Sequence, residues 1–162
     1  MEQPTVYILI GLPASGKSTW REAFIKKNPN FYALSSDDII DRKCEEAGLT
    51  YNEGFKRFVV AATNAFKQNV KKAFDNRDDF IIDRTNMTEK NRRDYIRSAD
   101  EKGYRKVAVN FIVPDAVLKK RMKDRFDATG KSVPDFVVDS MARGYVPPTK
   151  SEGFDEIQNE RN

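Results

Sequence analysis

The most constraining feature of this chain is Gly11-Leu12-Pro13-Ala14-Ser15-Gly16-Lys17-Ser18, set directly after the apolar run Val6-Tyr7-Ile8-Leu9-Ile10. It fits G-x-x-x-x-G-K-[ST] at every position. The order is that of a strand, a glycine-rich turn and a helix, and each residue type in it has a task. Glycine lets the backbone turn its N–H groups inward around an anion. A helix starting near Lys17 points the positive end of its dipole at the same anion. The Lys17 side chain can span to β- and γ-phosphates, and the Ser18 hydroxyl suits Mg²⁺. Gly11, Pro13, Ala14, Ser15, Gly16, Lys17, Ser18 and Thr19 are therefore expected around a nucleoside triphosphate, ATP with magnesium.

Beyond this unit, apolar runs alternate with helix-like segments, the pattern of a parallel α/β sheet. Strands are expected at Val6 to Ile10, Phe31 to Leu34, Phe80 to Asp83 and Lys106 to Val113. Helices are expected over about 17–27, 52–74, 88–101, 115–126 and 134–143. Phe55, Phe58, Val59, Ala62, Phe66 and Val70 recur at spacings of three and four, a core stripe. The reading is an α/β P-loop kinase fold. It has a central, mostly parallel sheet of four to five strands, helices on both faces and a helical lid. Residues 1–149 form the kinase domain, and 150–162 are expected to be a polar, loosely attached tail.

The chain has 162 residues and no histidine, which excludes a Ser-His-Asp triad, a His-ligated metal and an imidazole proton shuttle. A general base must be a carboxylate or a lysine. A single cysteine, Cys44, permits neither an intrachain disulfide nor a cysteine-based zinc site. No apolar run is long enough to cross a bilayer and no leader pattern opens the chain, so a cytoplasmic protein is expected. Net charge is +4. Lys150 and Arg161 against Glu152, Asp155, Glu156 and Glu160 leave −2 on the last segment, and so +6 on residues 1–149. Such a body suits a polyanion, and ATP alone would also welcome it. The length is short for a GTPase or an AAA+ ATPase with all its parts, and no N-K-x-D string is present. A small kinase is the economical reading.

Asp37 and Asp38 end the second strand, at the edge where open α/β sheets bind ligands. Phosphoryl transfer needs a group to orient the attacking hydroxyl and take its proton. Asp37 is the expected base and Asp38 the expected cap of the following helix. Asp83 ends the third strand and could hold magnesium, or serve as a strand-end cap or ion-pair partner. Thr85 and Asn86 could bond a substrate or form the turn into the next helix. Arg125, at the mouth of a loop, is the expected lid arginine over the phosphates. The remaining cations, Arg92 and Arg93 among them, read mostly as solvated helix faces. Trp20 reads as packed against the sheet.

Taken together, Pro13 to Trp20, Lys27-Asn28-Pro29-Asn30-Phe31-Tyr32 and Asp37-Asp38 resemble the kinase domain of phage-type polynucleotide 5′-kinases. Asp83 with Thr85-Asn86 and Arg92-Arg93, Arg121-x-x-x-Arg125, Val133-Pro134 and Met141 continue the resemblance. Pro148-Thr149 with Glu152-Gly153-Phe154 is similar to the end of animal polynucleotide kinase domains. The resemblance implies ATP and Mg²⁺ on Lys17 and Ser18, Asp37 as base, Arg125 on the phosphates and Asp83 as a supporting carboxylate. It implies a nucleic-acid partner, DNA or RNA, phosphorylated at a 5′-OH. There are departures. Ile40 stands where phage-type members carry a phosphate-binding arginine, with Arg42 two residues on, and Arg84 separates Asp83 from Thr85. Asp38, Arg42, Thr85 and Asn86 are then the candidate acceptor-binding residues. The Ile40 departure also admits a hydroxymethyl group on a pyrimidine base of DNA as acceptor. A nucleoside or small metabolite is a further alternative.

Overall fold

The computed structural model describes residues 2–161, so Met1 and Asn162 lie outside it. β1 (Thr5–Ile10) leads into α1 (Lys17–Lys27), which stops where the Asn28 amide and side chain both donate to Phe24 O ahead of Pro29. β2 (Tyr32–Leu34) is followed by α2 (Ser36–Ala47) and α3 (Tyr51–Asp75). α3 opens on a reciprocal cap between Thr50 and Glu53. β3 (Phe80–Ile82) precedes α4 (Glu89–Glu101), capped by Thr88 as expected. β4 (Arg105–Ile112), α5 (Asp115–Thr129), α6 (Asp135–Arg143), a 3₁₀ turn at Lys150–Glu152 and β5 (Glu156–Arg161) complete the order.

The five strands lie β2-β3-β1-β4-β5, and every pair is parallel. Side chains on a strand alternate between faces, which divides the core in two. Val6, Ile8 and Ile10 join Ile40, Phe66, Phe74 and Ile96, from α2, α3 and α4. Leu9, Ile81, Val109 and Phe111 face the other way, under Trp20, Phe24 and Phe31. Trp20 stacks on Phe24 at 4.9 Å and meets Phe111 edge-on, so it packs against the sheet. Of the α3 stripe, Ala62, Phe66 and Val70 are buried, Phe58 and Val59 are partly so, and Phe55 remains 39% exposed. At the amino edge of the sheet the polar groups close on one another. Thr5 N and Asn30 Nδ2 donate to Asp79, and Tyr32 Oη donates to Asp78 Oδ2 at 2.7 Å.

Two expectations change. The segment 150–162, read as a loose tail, supplies the edge strand β5, paired with β4 from Val107↔Glu156 to Ile112↔Arg161. It also buries Phe154 at 3% exposure. The strand was hard to read because Ile157 is its sole apolar residue, and an edge strand tolerates polar side chains. Arg92, read as part of a solvated face, is fully buried. Its guanidinium grips Glu152 through both carboxylate oxygens, at 2.8 and 3.1 Å, and donates to Asn86 O at 2.9 Å. A guanidinium fork that matches a carboxylate and a carbonyl can be buried where an unpaired charge could not.

Candidate active site

In this strand order β1 and β3 are neighbours, yet the chain leaves them toward opposite sides of the sheet. A crevice opens there at their carboxyl ends. It holds a cleft of about 770 Å³. Lys17, Ser18, Asp37, Asp38, Asp83 and Arg125 all line it, and Thr85 joins them.

The glycine-rich turn has the backbone its task demands. Gly16, the residue before α1, sits at φ 103°, and Ala14 is also left-handed at φ 65°. Thus the turn presents inward amides at a helix N-terminus. Gly11 N donates to Thr85 O at 3.0 Å, fastening the turn to the segment after β3. Lys17 Nζ donates to Gly11 O at 2.8 Å and Leu12 O at 2.9 Å, so the lysine lies back along its own loop. Burial pulls its pKa down to about 8, opposed by the charges of Asp83 and Asp37 and assisted by Arg125. The Nε of Arg125 is buried with no hydrogen-bond partner among the described residues. A glycine-rich turn at a helix N-terminus, a lysine still mostly charged at neutral pH and a guanidinium nitrogen without a partner among the described residues together call for an anion with several oxygens. A triphosphate fits them.

The carboxylates divide by their partners. Asp37 Oδ1 accepts from Tyr51 Oη at 2.8 Å. Asp38 does not cap α2, because Ser35 does so by accepting from Asp38 N. Its carboxylate instead meets Arg21 Nη2 at 2.7 Å. The same guanidinium reaches Asp83 Oδ2 at 2.8 Å. Burial raises the Asp83 pKa against the pull of Lys17 and Arg21. Burial works against the Arg21 charge, but its bonds to Asp38 and the charge of Asp83 more than offset this and raise its pKa. Among the described residues no cluster of three or more His, Cys, Asp or Glu could hold a metal. A magnesium ion bound with a nucleotide needs only one or two protein oxygens beside phosphate and water. Ser18 and Asp83, lining the same cleft, suit that pattern.

Two acceptor candidates fall elsewhere. Asn86 is buried at φ 48° and donates to Leu9 O at 2.8 Å, so it ties the segment after β3 to β1. Arg42 is exposed on α2 and is not among the residues lining the cleft. Among the site residues that escaped the sequence reading are Tyr51 and Lys131, which line the cleft, and Arg21, which bonds the lining carboxylates Asp38 and Asp83. Arg21 was accessible in principle, being one helical turn past Lys17 and so on its face. Tyr51 comes to Asp37 only through the packing of α3 on α2, and no local pattern announces that. Lys131 reaches the cleft because its amine bonds Asp41 at 2.6 Å across the fold.

Sheet order, cradle and cleft define a kinase domain of the P-loop type. The chain belongs to the AAA_33 family, an AAA domain, whose model matches residues 6–148. An L-seryl-tRNA(Sec) kinase of Methanococcus maripaludis is 30% identical over 91% of this chain and 55% of its own length. A chain in the structure of the Pnkp1/Rnl/Hen1 RNA repair complex is 26% identical, with TM-score 0.69 over 89% of this chain and 44% of that one. A Chloroflexus aurantiacus protein has TM-score 0.76 at 17% identity, covering 99% of this chain and 86% of that one, a likeness of fold. The chain thus spans about half the length of the first two. Among its described residues no helix is long and apolar enough to cross a membrane.

Proposed function

We propose that this domain transfers the γ-phosphoryl group of ATP to a hydroxyl carried by a nucleic acid, the 5′-OH of a DNA or RNA strand. The observation that carries the reading is the single cleft in which Lys17 and Ser18 face Asp37 between walls bearing Arg84, Arg121, Arg125 and Lys131. One end suits a triphosphate. Asp38, Asp41, Asp83 and Glu160 also line the cleft, and Arg21 and Lys131 pair with the first three of these, so Arg84, Arg121 and Arg125 are the cations left to meet phosphate oxygens of donor and acceptor. Likeness to a chain of an RNA repair complex supports the same class of acceptor.

In this mechanism Asp37 accepts the proton of the acceptor hydroxyl as its oxygen bonds the γ-phosphorus. The bond from that phosphorus to the β–γ bridging oxygen breaks, and ADP leaves. Lys17 and Arg125 stand where charge spreads over the phosphoryl oxygens. Arg21 fixes Asp38 and Asp83 in place. Mg²⁺, held by Ser18 and Asp83, would neutralise part of the phosphate charge.

A second reading moves the hydroxyl from the strand end to an aminoacyl group esterified to tRNA. The kinship with L-seryl-tRNA(Sec) kinase favours it. The test is transfer of labelled γ-phosphate, with Mg²⁺, to a 5′-OH oligonucleotide, to one with a blocked 5′ end and hydroxymethylated bases, and to seryl-tRNA. Label on the first alone is the expected result. Label on seryl-tRNA alone selects the second reading, and label on none removes nucleic acid as the acceptor.

A further inference from the structure

We infer that Tyr51 and Asn52, adjacent residues in the first turn of α3, give one shared support to the base and to the loop that covers the cleft. Aiming Asp37 and seating residues 130–132 then become a single event. The inference rests on the reading of Asp37 as the base. Tyr51 Oη donates to Asp37 Oδ1 at 2.8 Å, which leaves Oδ2 for the acceptor hydroxyl. Its neighbour Asn52 holds the loop between α5 and α6. Nδ2 donates to Gly130 O at 2.7 Å and Ser132 Oγ at 3.0 Å, while Oδ1 accepts from Ser132 N at 3.2 Å.

A third contact binds the two halves. Lys131 Nζ lies 4.6 Å from the centre of the Tyr51 ring while it bonds Asp41 Oδ2 at 2.6 Å. A cation over an aromatic face adds attraction of its own, more so where water is partly excluded. The Thr50–Glu53 cap fixes the start of α3, so neither residue of the pair can shift without the other. Burial, and then the Asp37 charge, raises the Tyr51 pKa, so the phenol keeps the proton it donates. Tyr51 and Asn52 are therefore positioning residues. They act on the reaction through Asp37 and through the loop that keeps water from the phosphates.

The experiment measures transfer to a 5′-OH oligonucleotide, or to whichever acceptor takes label, alongside ATP hydrolysis without acceptor. Tyr51→Phe loses the bond to Asp37 but keeps the ring under Lys131. Its kcat should fall about tenfold, the loss of one hydrogen bond to a charged group, with KM for ATP within about twofold. Asn52→Ala frees the loop, so hydrolysis should rise relative to transfer. Lys131→Met, which removes the cation over the Tyr51 ring but leaves the bonds of Tyr51 to Asp37 and of Asn52 to the loop, should do the same. A purely structural role would lower the melting temperature and leave that ratio unmoved. The double variant Tyr51→Phe/Asn52→Ala should lose less than the product of the single losses. Multiplicative losses, or an unchanged kcat in Tyr51→Phe, would overturn the shared support. Asp37→Asn separates the two levels. If it retains turnover, the base assignment itself fails, whereas an inactive Asp37→Asn beside a normal Tyr51→Phe removes only the present inference.

Discussion

Lys17 is a cation whose charge is easily lost. Its pKa of about 8 lies below the ordinary 10.5 because the loop and cleft around it exclude water. Between those values the unfolded chain binds one more proton than the folded one, so the unliganded protein should gain stability as pH climbs from about 8 toward 10.5. Nucleotide binding works in the opposite direction. Phosphates favour the charged amine, so ATP affinity should fall as pH passes 8, with proton uptake on binding in that range. Calorimetry in buffers of differing ionisation enthalpy checks both. Lys17→Ala should lose affinity and rate together, since in the proposed mechanism Lys17 would meet the phosphates already in the ground state. Asp37→Asn should lower kcat by about a hundredfold or more and leave KM for ATP nearly alone. Lys17 and Ser18 were legible from sequence because their partners are contiguous with them. Asp83 was placed from sequence because it directly follows β3; Asp37, expected at the end of the second strand, lies instead in the first turn of α2, and both line the cleft. The bridge that Arg21 makes between Asp38 and Asp83 was not legible, since its two ends lie 17 and 62 residues away.

Helix packing sets the next level, and Gly54 is its most sensitive point. A Cβ there would stand 2.3 Å from Cys44 Sγ and 3.1 Å from the Phe58 ring, which is what lets α3 approach α2 so closely. In an open helix, Gly→Ala gains about 1 kcal/mol. Here overpacking costs about 1–3 kcal/mol. Gly54→Ala should therefore lower the urea midpoint, and Cys44→Ala in the same chain should recover most of the loss. The same contact keeps Tyr51 beside Asp37, so kcat should fall with stability in the single variant. Elements with a strong period or a cap were readable in advance: the α3 stripe, Thr88 before α4, Pro134 before α6. α2 was foreseen only as a helix that Asp38 would cap. β5 was missed, because its burial depends on β4 rather than on any pattern of its own.

The sheet as a whole depends on residues 150–161. Removing them would take away β5, the buried Phe154 and Glu152, and leave Arg92 fully buried without its carboxylate. Breaking a buried pair from one side alone costs about 3–5 kcal/mol. Whole domains hold only about 5–15 kcal/mol. A chain ending at Thr149 should then lack a cooperative thermal transition by circular dichroism, and Glu152→Gln should show a milder form of the same loss. The sheet has two unlike edges. At its amino edge Asp78 and Asp79 satisfy Tyr32, Asn30 and Thr5 within the fold. At its carboxyl edge Arg125 Nε has no partner among the described residues and Lys17 makes do with its own loop. Inheritance can treat these edges separately. Descendants of one such domain are free to trade acceptors by rewriting the loops at the carboxyl edge, while the opposite edge passes on the means of folding unchanged.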